Sequence, residues 1–327
     1  MNPLEKYQGL YLPELKKVDE KILSLSKGRA GLISQLVAHI ISSGGKRLRP
    51  VFVILSSKLC GNESGFHIDM SACVELLHTA TLFHDDVVDE SKMRRGSKTA
   101  NELWGNSASV LVGDFLLAQS FIIMAEIGNN EIIDLLSKTS SKITEGEVKQ
   151  LMHKSDITIS YDDYIEIVTS KTAELFAACC RVGGVLAGVG EAQKKALEDF
   201  GRSLGIAFQI ADDALDYSAS SKKIGKKTGD DFREGKATLP IIHTYQNSDD
   251  AVKRQLEGMF DLPSKSRGAE KFGQVRKLLL AKDSIEHTMK ISQGYVTKAK
   301  EALEIFADSE YKRAMLELLD FCVNRKY

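Results

Sequence analysis

The distribution of proline constrains this chain more than any other sequence feature. Its five prolines lie at positions 3, 13, 50, 240 and 263, which leaves a proline-free run of almost 190 residues. Proline is the residue that the interior of an α-helix tolerates least, so this run favours long helices. Apolar side chains recur in it at three- and four-residue spacing, and no window of more than four residues alternates as a strand. The sequence therefore predicts an all-α fold of ten or more helices.

The periodicity also places the predicted helices. They cover residues 30–43, 48–60, 68–89, 107–127, 130–154, 161–188 and 191–218, and they resume at 239 with breaks near 248, 263 and 308. Residues 91–96 and 218–235 are predicted to be loops, because the first is polar and the second combines three glycines with many charges. A chain of 327 residues is near the upper limit for one hydrophobic core, and we predict a single domain over residues 1–327.

Composition excludes several classes of function. The 44 basic and 45 acidic residues give a net charge of −1, so no general polyanion-binding field exists and no nucleic-acid partner is expected. Five cysteines without a Cys-x-x-Cys predict neither a disulfide framework nor structural zinc. The N-terminus lacks the apolar segment of a secretory signal, and the apolar stretch 173–189 is too short and interrupted to span a bilayer. We predict a soluble cytoplasmic protein.

An Asp-Asp-x-x-Asp string lies at the C-terminal end of the predicted helix 68–89. Residues four apart lie on one helix face, so Asp85 and Asp89 are expected to project together, with Asp86 beside them. The helix dipole is negative at that end and does not stabilise carboxylates. Divalent cations explain the arrangement, because Mg²⁺ takes oxygen ligands and shares them with substrate phosphates. Taken alone, the string is also typical of a solvated polar helix end.

The same spacing recurs 127 residues later, at Asp212, Asp213 and Asp216. The neighbours of this second string are apolar: Ile206, Ala207, Phe208, Ile210, Ala211, Ala214 and Leu215. A solvated run of charges is not normally embedded in such a helix. Two Asp-rich helices that face one cavity would form a clamp of several metal ions, the usual device for holding and splitting a phosphate ester.

Basic residues accompany both acidic clusters. They are Lys46, Arg47 and Arg49 in GGKRLRP, Arg94 and Arg95 after the first cluster, and Lys226 and Lys236 after the second. The first group lies at a predicted helix start, where the dipole repels cations unless an anion is bound nearby. Each cation alone would be an ordinary exposed charge. Together they predict two bound diphosphates, one bridged by metal and one held directly by lysine and arginine.

Six separated strings carry a resemblance to a known family. In order they are GGKRLRP, HTATLFHDDVVDESKMRRG, SASVLVGDFLLAQ, SKTAELF, AFQIADDALDY and GKKTGDDFREGKATLP. They resemble the trans-isoprenyl diphosphate synthase family and look most like its long-chain polyprenyl members of the octaprenyl type. The resemblance covers roughly residues 30–245. It implies a single all-α bundle of the isoprenoid synthase type with a central cavity.

The resemblance also implies a reaction. In this family an allylic diphosphate loses pyrophosphate, the double bond of isopentenyl diphosphate attacks the carbocation, and loss of a proton gives an allylic chain five carbons longer. The main barrier is charge separation, so the catalyst required is electrostatic stabilisation of the departing diphosphate. The resemblance implies three Mg²⁺ ions per active site with substrate bound. Their implied ligands are Asp85, Asp89, Asp212 and Asp216, with Asp86 and Asp213 in support.

The diphosphate ligands follow from the same resemblance. It implies that the allylic diphosphate binds Arg94, Lys171, Thr172, Gln209, Lys226 and Lys236, and that isopentenyl diphosphate binds Lys46, Arg49, His78 and Arg95. Spacing supports His78 independently, because it lies about 20° around the helix from both Asp85 and Asp89. No protein base is required, since released pyrophosphate can accept the proton. Glu147 and Gln150 are candidates for supporting groups in the cavity wall.

Product length should follow from the space beneath the first acidic cluster. Ala80 and Thr81 lie one helical turn below it, with Leu77 further down. Short-chain members of the family carry aromatic residues there, so small side chains predict a long apolar tunnel and a long product. Phe121 and Met124 are candidate floor residues, although such side chains more often belong to ordinary core packing.

Several other interpretations differ in class. A terpene cyclase shares the fold, but its second metal motif is usually of the Asn/Asp-Ser/Thr-Glu type. A non-catalytic subunit of a heteromeric synthase usually lacks one or both Asp clusters, and both are complete here. A helical interaction protein would leave buried carboxylates unpaired. A shorter-chain synthase (geranylgeranyl, hexaprenyl or heptaprenyl) and the catalytic subunit of a heteromeric synthase stay open.

The resemblance further implies partners. The substrates would be isopentenyl diphosphate and an allylic diphosphate such as farnesyl diphosphate, and the enzyme would be a homodimer formed through helices near residues 107–127. The product is a lipid, so transient membrane contact during its release is expected. An octaprenyl product would serve as the side-chain precursor of a respiratory quinone.

Overall fold

The computed structural model describes residues 2–29, 31–42, 45–94, 96–218 and 228–324. Most of them are helical, so the predicted all-α fold is confirmed. The chain divides into two compact units. Unit 1 comprises Met1–Ser140, Leu175–Gly201 and Ala302–Leu318, and unit 2 comprises Ser141–Glu174, Arg202–Glu301 and Leu319–Tyr327. The single domain over residues 1–327 stays a prediction.

The first 127 residues form a series of helices interrupted by one small hairpin. In chain order these elements are α1 (Pro3–Lys6), α2 (Gln8–Leu25), α3 (Gly31–Ser42), α4 (Leu48–Leu59), α5 (His67–Val88), β1 (Met93–Arg94), β2 (Ser97–Lys98), α6 (Ala100–Trp104) and α7 (Asn106–Ile127).

The remainder of the described chain continues as helices. They are α8 (Asn130–Met152), α9 (Tyr161–Val168), a π-helical turn (Thr169–Ala173), α10 (Glu174–Leu186), α11 (Glu191–Asp216), α12 (Asp230–Glu234), α13 (Leu239–Gln246), α14 (Asp250–Phe260), α15 (Ala269–Ala281), α16 (Ser284–Ala302) and α17 (Glu310–Val323). Short 3₁₀ turns occur at Ser264–Ser266 and Leu303–Ile305.

Helix α5 lies at the centre of unit 1, packed against α2, α4 and α7. It buries side chains around most of its circumference, including Val74, Leu76 and Leu77. A helix that is apolar all round is typical of one enclosed by its neighbours. The C-terminal end of α5 reaches the surface, where Val88 is 56% exposed. The first Asp cluster therefore lies where α5 passes from the core of the unit to its surface.

Two apolar clusters fix the elements of unit 2. One joins α12, α14 and α15, with the rings of Phe232 and Phe260 in edge-to-face contact at a centroid separation of 5.3 Å. The other joins α9, α11 and α13 through side chains that include Tyr164, Ile210 and Ile242. These aromatic and aliphatic contacts give the polar residues between them a rigid frame.

The helix predicted over residues 161–188 consists of three consecutive pieces. Helix α9 continues into the π-helical turn Thr169–Ala173, which leads directly into α10. A π-helical turn carries an extra residue compared with an α-helical turn, and such bulges are common at functional sites. Apolar periodicity did not reveal it, because the buried stripe continues on both sides of the bulge.

Both predicted loops contain regular structure. In residues 91–96, Met93 and Arg94 belong to β1, which pairs antiparallel with β2. In residues 218–235 the described part contains α12, while residues 219–227 lie outside the described residues. The strands are two residues long and so carry no alternation that a sequence pattern could show.

The helix boundaries show further differences from the sequence prediction. Helices α1, α2 and α6 were not predicted, and a break that was not predicted separates α15 from α16, where Asp283 adopts φ of +50°. The predicted breaks near residues 248, 263 and 308 are confirmed. Left-handed backbone at a residue other than glycine is uncommon, so sequence alone gave no sign of the turn at Asp283.

Among the described residues, α7 is the one helix that is long and apolar enough to cross a membrane. The stretch 173–189, predicted to be too short and interrupted to span a bilayer, is not among such helices. Core helices of soluble proteins have the same length and composition, and 44% of the most apolar window of α7 is buried. All five cysteines carry free thiols, and four of them are buried.

Candidate active site

The first acidic cluster ends helix α5 in unit 1. The amide of Asp89 donates to the carbonyl of Asp85 over 2.8 Å, so these residues stand one turn apart, as their spacing predicted. Their side chains are partly exposed, whereas Asp86 is only 3% exposed. The cluster thus presents two accessible carboxylates and one buried one.

Arg94 from β1 binds the buried member of this cluster. Its Nε and Nη2 atoms donate to Asp86 Oδ1 over 2.9 and 2.8 Å. The side-chain amide of Asn101 donates to the Asp86 carbonyl over 3.0 Å and fixes the adjoining main chain. Burial raises the pKa of Asp86, and the hydrogen bond from Arg94 opposes that rise. The hairpin, which the sequence did not predict, is therefore what places Arg94 beside the acidic cluster.

Two residues predicted to bind isopentenyl diphosphate lie together in unit 1. Arg49 Nη1 is 3.0 Å from His78 Nε2, and because a guanidinium only donates, the imidazole accepts. The Arg49 guanidinium also lies 4.5 Å from the centroid of the Phe176 ring. A cation over an aromatic face is held by the quadrupole of the ring, which restricts the direction of the arginine. Lys46, the third described member of the set, is partly buried just before α4.

Arg47, the remaining cation of GGKRLRP, faces acidic side chains. It precedes α4 in left-handed conformation, with φ of +47°. Its guanidinium donates to Glu75 and lies 3.7 Å from an oxygen of Asp19. Three cations can therefore lie at one helix start, because the charge of Arg47 is compensated by Glu75 and Asp19. Arg47, Glu75, His78, Asp86 and Arg94 line one cavity in unit 1.

The second acidic cluster ends α11 in unit 2, where Asp213 is 4% exposed. Its carboxylate accepts a hydrogen bond from the Tyr164 hydroxyl over 2.6 Å and another from the Gln209 side-chain amide over 2.8 Å. Burial raises the pKa of Asp213 to about 7, and the two hydrogen bonds oppose that rise. Tyr164 was not among the predicted site residues. A tyrosine at an apolar helix position needs a partner for its hydroxyl, and that was the available signal.

The Asp216 side chain accepts hydrogen bonds from main-chain amides at the start of α12. Its Oδ1 atom accepts from the amides of Gly229 and Asp230 over 3.0 and 3.3 Å, and Oδ2 accepts from the amide of Asp231 over 3.1 Å. The carboxylate therefore lies at the start of α12, where orphan amides favour an anion. Burial raises the pKa of Asp216 to about 6, against the effect of the amides.

A cavity in unit 2 collects the polar ends of these elements. It is lined by Lys171, Thr172, Gln209, Asp213, Asp231 and Lys236, among others. Asp231 was not among the predicted site residues. Desolvation in the cavity wall, together with the negative charges of Asp216 and Asp213, raises the pKa of Asp231 well above its usual range. Lys236 forms an ion pair with Glu234 at 2.7 Å.

The π-helical turn places two predicted ligands in this cavity. Lys171 Nζ donates to Glu147 Oε2 over 2.7 Å and to Gln150 Oε1 over 2.8 Å. Thr172 donates from its hydroxyl to Gln209 Oε1 over 3.1 Å. Glu147 and Gln150, which were candidates for supporting groups, thus hold the lysine. The bulge at residues 169–173 directs this lysine and threonine toward partners on α8 and α11.

Helix α8 approaches the π-helical turn closely at Gly146. A Cβ atom at this position would lie 2.8 Å from Ser170 Cβ and 2.9 Å from the amide nitrogen of Lys171. Real Cβ contacts are not that short, so the approach depends on glycine. Because Glu147 and Gln150 follow on the same helix, this contact brings their side chains within reach of Lys171.

The acidic clusters fit a hard divalent cation, although not as a complete protein site. In the parts of the chain that the structure describes, no group of three or more His, Cys, Asp or Glu side chains could by itself hold a metal. Mg²⁺ usually binds one or two carboxylates and takes its other ligands from substrate phosphates and water. Asp85 with Asp89, and Asp212 with Asp216, supply such pairs. Burial raises the pKa values of Asp213 and Asp216 and so disfavours their ionised forms, which a bound cation would stabilise.

Some predicted residues fall elsewhere. Arg95 and Lys226 lie outside the described residues. Of the residues expected to set product length, Ala80 is 2% and Leu77 is 3% exposed, both within the core of unit 1. Of the candidate floor residues, Met124 is 3% exposed, whereas Phe121 is 47% exposed on the outer face of α7 and so does not close a buried tunnel.

Comparisons with known proteins identify the family of the chain. The sequence profile of a family described as polyprenyl synthetase matches residues 30–279. The chain belongs to this family. It is 39% identical over 324 residues to the octaprenyl diphosphate synthase of Haemophilus influenzae, covering 99% of this chain and 98% of that protein.

Solved structures of the family have the same fold. A polyprenyl synthase from Caulobacter crescentus, complexed with calcium and isoprenyl diphosphate, superposes with a TM-score of 0.94 at 39% identity, covering 100% of this chain and 99% of that one. A decaprenyl diphosphate synthase from Rhodobacter capsulatus gives a TM-score of 0.92 at 39% identity, with 98% of each chain covered. The predicted resemblance is confirmed, and the protein is a prenyltransferase with the isoprenoid synthase fold.

Proposed function

We propose that the protein is a long-chain trans-polyprenyl diphosphate synthase of the octaprenyl type. It condenses isopentenyl diphosphate in successive steps onto an allylic diphosphate such as farnesyl diphosphate. The observation that carries the proposal is the cavity of unit 2, in which Lys171 and Lys236 lie with the buried carboxylate of Asp213 and the partly buried carboxylate of Asp231. Cations alone would suit a free diphosphate, and carboxylates alone would suit a metal. Both kinds of side chain together suit a diphosphate that carries metal.

The allylic diphosphate binds in the unit 2 cavity in this proposal. Lys171, Lys236 and the hydroxyl of Thr172 provide donors for its oxygens. These groups are already fixed by Glu147, Gln150, Glu234 and Gln209, so little reorganisation is needed when negative charge develops on the leaving diphosphate. Lys226, by the family resemblance, belongs to the same set. The main barrier is the separation of diphosphate from the carbocation, and fixed donors lower it by stabilising the anion.

Isopentenyl diphosphate binds in unit 1 in this proposal. Arg49 and His78 form the described part of its site, and Lys46 with Arg95 complete it by resemblance. The ring of Phe176 restricts the direction of the Arg49 guanidinium, and the planar shape of this group suits a phosphate. The proton released after condensation goes to pyrophosphate, so no side chain is assigned as a general base.

Mg²⁺ is the proposed cofactor, with three ions when substrate is bound. Asp85, Asp89, Asp212 and Asp216 would hold it, with Asp86 and Asp213 in support. When bound, the metal neutralises the diphosphate and so favours its departure. Tyr164 and Gln209 hold the Asp213 carboxylate in one orientation, and Arg94 does the same for Asp86.

A homodimer formed through α7 is part of the proposal. The outer face of this helix exposes apolar side chains at helical spacing: Val110, Leu111, Phe121 and Ile122 are 37%, 67%, 47% and 46% exposed. A row of exposed large apolar side chains marks an interaction surface in a soluble protein. A second copy of the chain would cover this row with the same apolar residues.

The cellular setting follows from the product. We propose a cytoplasmic enzyme whose lipid product passes to a membrane by transient contact, and whose octaprenyl chain becomes the side chain of a respiratory quinone. The alternatives are a shorter-chain synthase (geranylgeranyl, hexaprenyl or heptaprenyl) and the catalytic subunit of a heteromeric synthase.

A chain-length assay tests this proposal. Purified protein, Mg²⁺, labelled isopentenyl diphosphate and farnesyl diphosphate are incubated, and the dephosphorylated products are separated by reversed-phase chromatography. A dominant octaprenyl product is expected. A dominant geranylgeranyl product would keep the chemistry and reject the long tunnel. If folded protein with metal incorporates no label, a second subunit is required and the homodimer proposal is wrong.

Ala80→Phe tests the tunnel directly. Ala80 is buried one turn below the first acidic cluster, so a phenyl ring there would block the path of a growing chain. Shorter products are expected, with the rate of the first condensation largely retained. Ala192→Phe, at an exposed position in the first turn of α11, is the control and should leave product length unchanged. Long products from the Ala80 variant would contradict the assignment.

A further inference from the structure

Arg267 is a buried cation in a part of the chain that carries no recognised motif. It follows the 3₁₀ turn Ser264–Ser266, and only 4% of its surface is exposed. Burying a charge is costly unless hydrogen bonds compensate for lost water. Desolvation lowers the pKa of Arg267, but a guanidinium stays charged at neutral pH. A buried arginine outside the known motifs calls for a structural or functional reason.

The hydrogen bonds of Arg267 join three segments of unit 2. Its Nη2 atom donates to Ser155 Oγ over 2.7 Å and also to the Phe260 carbonyl, and Nη1 donates to the Phe232 carbonyl over 3.4 Å. The guanidinium carbon also lies 5.6 Å from the centroid of the Phe260 ring. These acceptors are neutral oxygens, so the arginine acts here through the geometry of its planar donors rather than through an ion pair.

The guanidinium lies directly against Gly235. A Cβ atom there would be 2.3 Å from Arg267 Nη1 and 2.7 Å from Ser155 Oγ, so only glycine permits the contact. Gly235 also has φ of +80°, which favours glycine. The amide of Ser155 donates to the Gly235 carbonyl over 2.8 Å. Arg267 and Ser155 therefore hold this residue from both its Cα and its carbonyl side.

The residue fixed in this way immediately precedes Lys236. The amide of Lys236 donates to the Asp231 carbonyl over 2.8 Å, and its side chain lines the unit 2 cavity. The direction in which Lys236 leaves the main chain is therefore set by the turn at Gly235. Ser155 and Arg267, 112 residues apart in sequence, meet on the other side of that turn.

We propose that Arg267 is a positioning residue that, with Ser155, fixes the Gly235 turn and thereby sets how tightly Lys236 binds the diphosphate. The proposal rests on the proposed function, which places the allylic diphosphate in this cavity. Arg267 does not itself line the cavity, so its effect passes through the main chain.

The experiment measures binding of inorganic pyrophosphate, in the presence of Mg²⁺, to the full chain by isothermal titration calorimetry. Arg267→Lys keeps the charge and loses the planar pair of donors, and Ser155→Ala removes one acceptor with little risk to folding. Each variant is expected to bind pyrophosphate about tenfold more weakly, because small displacements of a ligand group have large effects. In turnover, KM for the allylic substrate should rise by a similar factor, while KM for isopentenyl diphosphate changes less than about twofold.

A double-mutant cycle separates positioning from general stability. In a Lys236→Ala background, Arg267→Lys and Ser155→Ala should weaken pyrophosphate binding less than about twofold further, because the group they position is gone. Arg181→Lys is the control. Arg181 is a partly buried arginine that pairs with Glu131, Glu191 and Glu198 and lines neither cavity. Its variant should bind pyrophosphate as tightly as the parent protein does.

The outcomes are distinct. The proposal would be wrong if the two substitutions reduced pyrophosphate affinity equally in the presence and absence of Lys236. It would also be wrong if folded Arg267→Lys and Ser155→Ala bound pyrophosphate as tightly as the parent protein. If Arg267→Lys does not fold, the double-mutant cycle of Ser155→Ala with Lys236→Ala tests the proposal by itself. Failure of the parent protein to incorporate isopentenyl diphosphate, with pyrophosphate binding and the cycle intact, would count against the proposed function and leave the role of Arg267 standing.

Discussion

In unit 1 the middle carboxylate of the Asp-Asp-x-x-Asp string, Asp86, is bound by the guanidinium of Arg94. In unit 2 its counterpart, Asp213, accepts hydrogen bonds from the hydroxyl of Tyr164 and the amide of Gln209, which are neutral. Both carboxylates are almost fully buried, and burial raises both pKa values. The same sequence string thus has a cationic partner in one unit and dipolar partners in the other. The second cluster has the greater need of an added cation.

The largest expected effect compares the last aspartate of each string. Asp89→Ala and Asp216→Ala should each reduce kcat by about a thousandfold or more, since each removes a proposed metal ligand. They should differ in stability. Asp216 also caps three amides at the start of α12, so its loss should cost about 1–2 kcal/mol, while loss of Asp89 should cost little. Steady-state kinetics measure kcat and urea denaturation measures the free energy of unfolding. Asp199→Ala, at a partly exposed position on α11, is the control. Equal stabilities would contradict the assigned cap.

The next effect compares the partners of the two middle carboxylates. Arg94→Gln leaves Asp86 buried without a cation and should destabilise the protein by about 1 kcal/mol, a value reduced because Arg94 is itself 38% exposed. Tyr164→Phe removes one neutral donor and should have a similar or smaller effect on stability, but should lower kcat about tenfold by releasing Asp213. Thermal unfolding and turnover of both variants test this. A larger stability loss for Tyr164→Phe would reverse the comparison.

The third prediction concerns pH. Raised pKa values mean that folded protein binds more protons than unfolded protein between about pH 4 and 7, so Asp213 and Asp216 contribute stability at low pH that is lost as pH rises. In metal-free, ligand-free protein the unfolding free energy should fall by about 4 kcal/mol between pH 5 and 8, apart from other titrating groups. Asp213→Asn should reduce this slope, whereas Asp86→Asn should alter it less. A steeper slope in the Asp213 variant would contradict the assignment.

The smallest expected effect comes from Gln150. Its carbonyl oxygen accepts one of two hydrogen bonds from Lys171, and Glu147 retains the other after Gln150→Ala. KM for the allylic substrate should rise about threefold, as expected for loss of one hydrogen bond to a charged group that keeps its main partner. Gln246→Ala, at the end of α13, is a control with no contact to the lysine. An unchanged KM would remove Gln150 from the supporting set.

Sequence reasoning found the features that repeat or have fixed spacing. Helical periodicity predicted the all-α fold, and the i, i+4 spacing of Asp85 and Asp89 predicted their stacking on one helix end. The adjacent cations and the six ordered strings then led to the family. These signals are local, since each is contained in a few turns of helix or a short string.

The missed features depend on contacts between distant segments. Tyr164 meets Asp213 across 49 residues, and Arg267 meets Ser155 across 112 residues. No spacing rule connects such pairs, because the connection is made by packing of whole helices. Asp231 was not predicted for a related reason. Its position in the cavity wall depends on the hydrogen bond that its amide donates to Asp216 at the start of α12. Sequence therefore predicted the chemistry of the site better than the framework that supports it.

The π-helical turn at Thr169–Ala173 has a consequence for comparing this chain with its relatives. One extra residue in a helical turn rotates everything after it by about 100° relative to an unbroken α-helix. A relative with a regular α-helix here would match the segments before and after Lys171 only if its alignment contained a one-residue gap. Helical-wheel projections drawn through the whole segment would assign residues after the turn to the wrong face. A gap placed at this turn would mark a change of helical register, and alignments forced to remain continuous there would misassign residues that are proposed to bind the substrate.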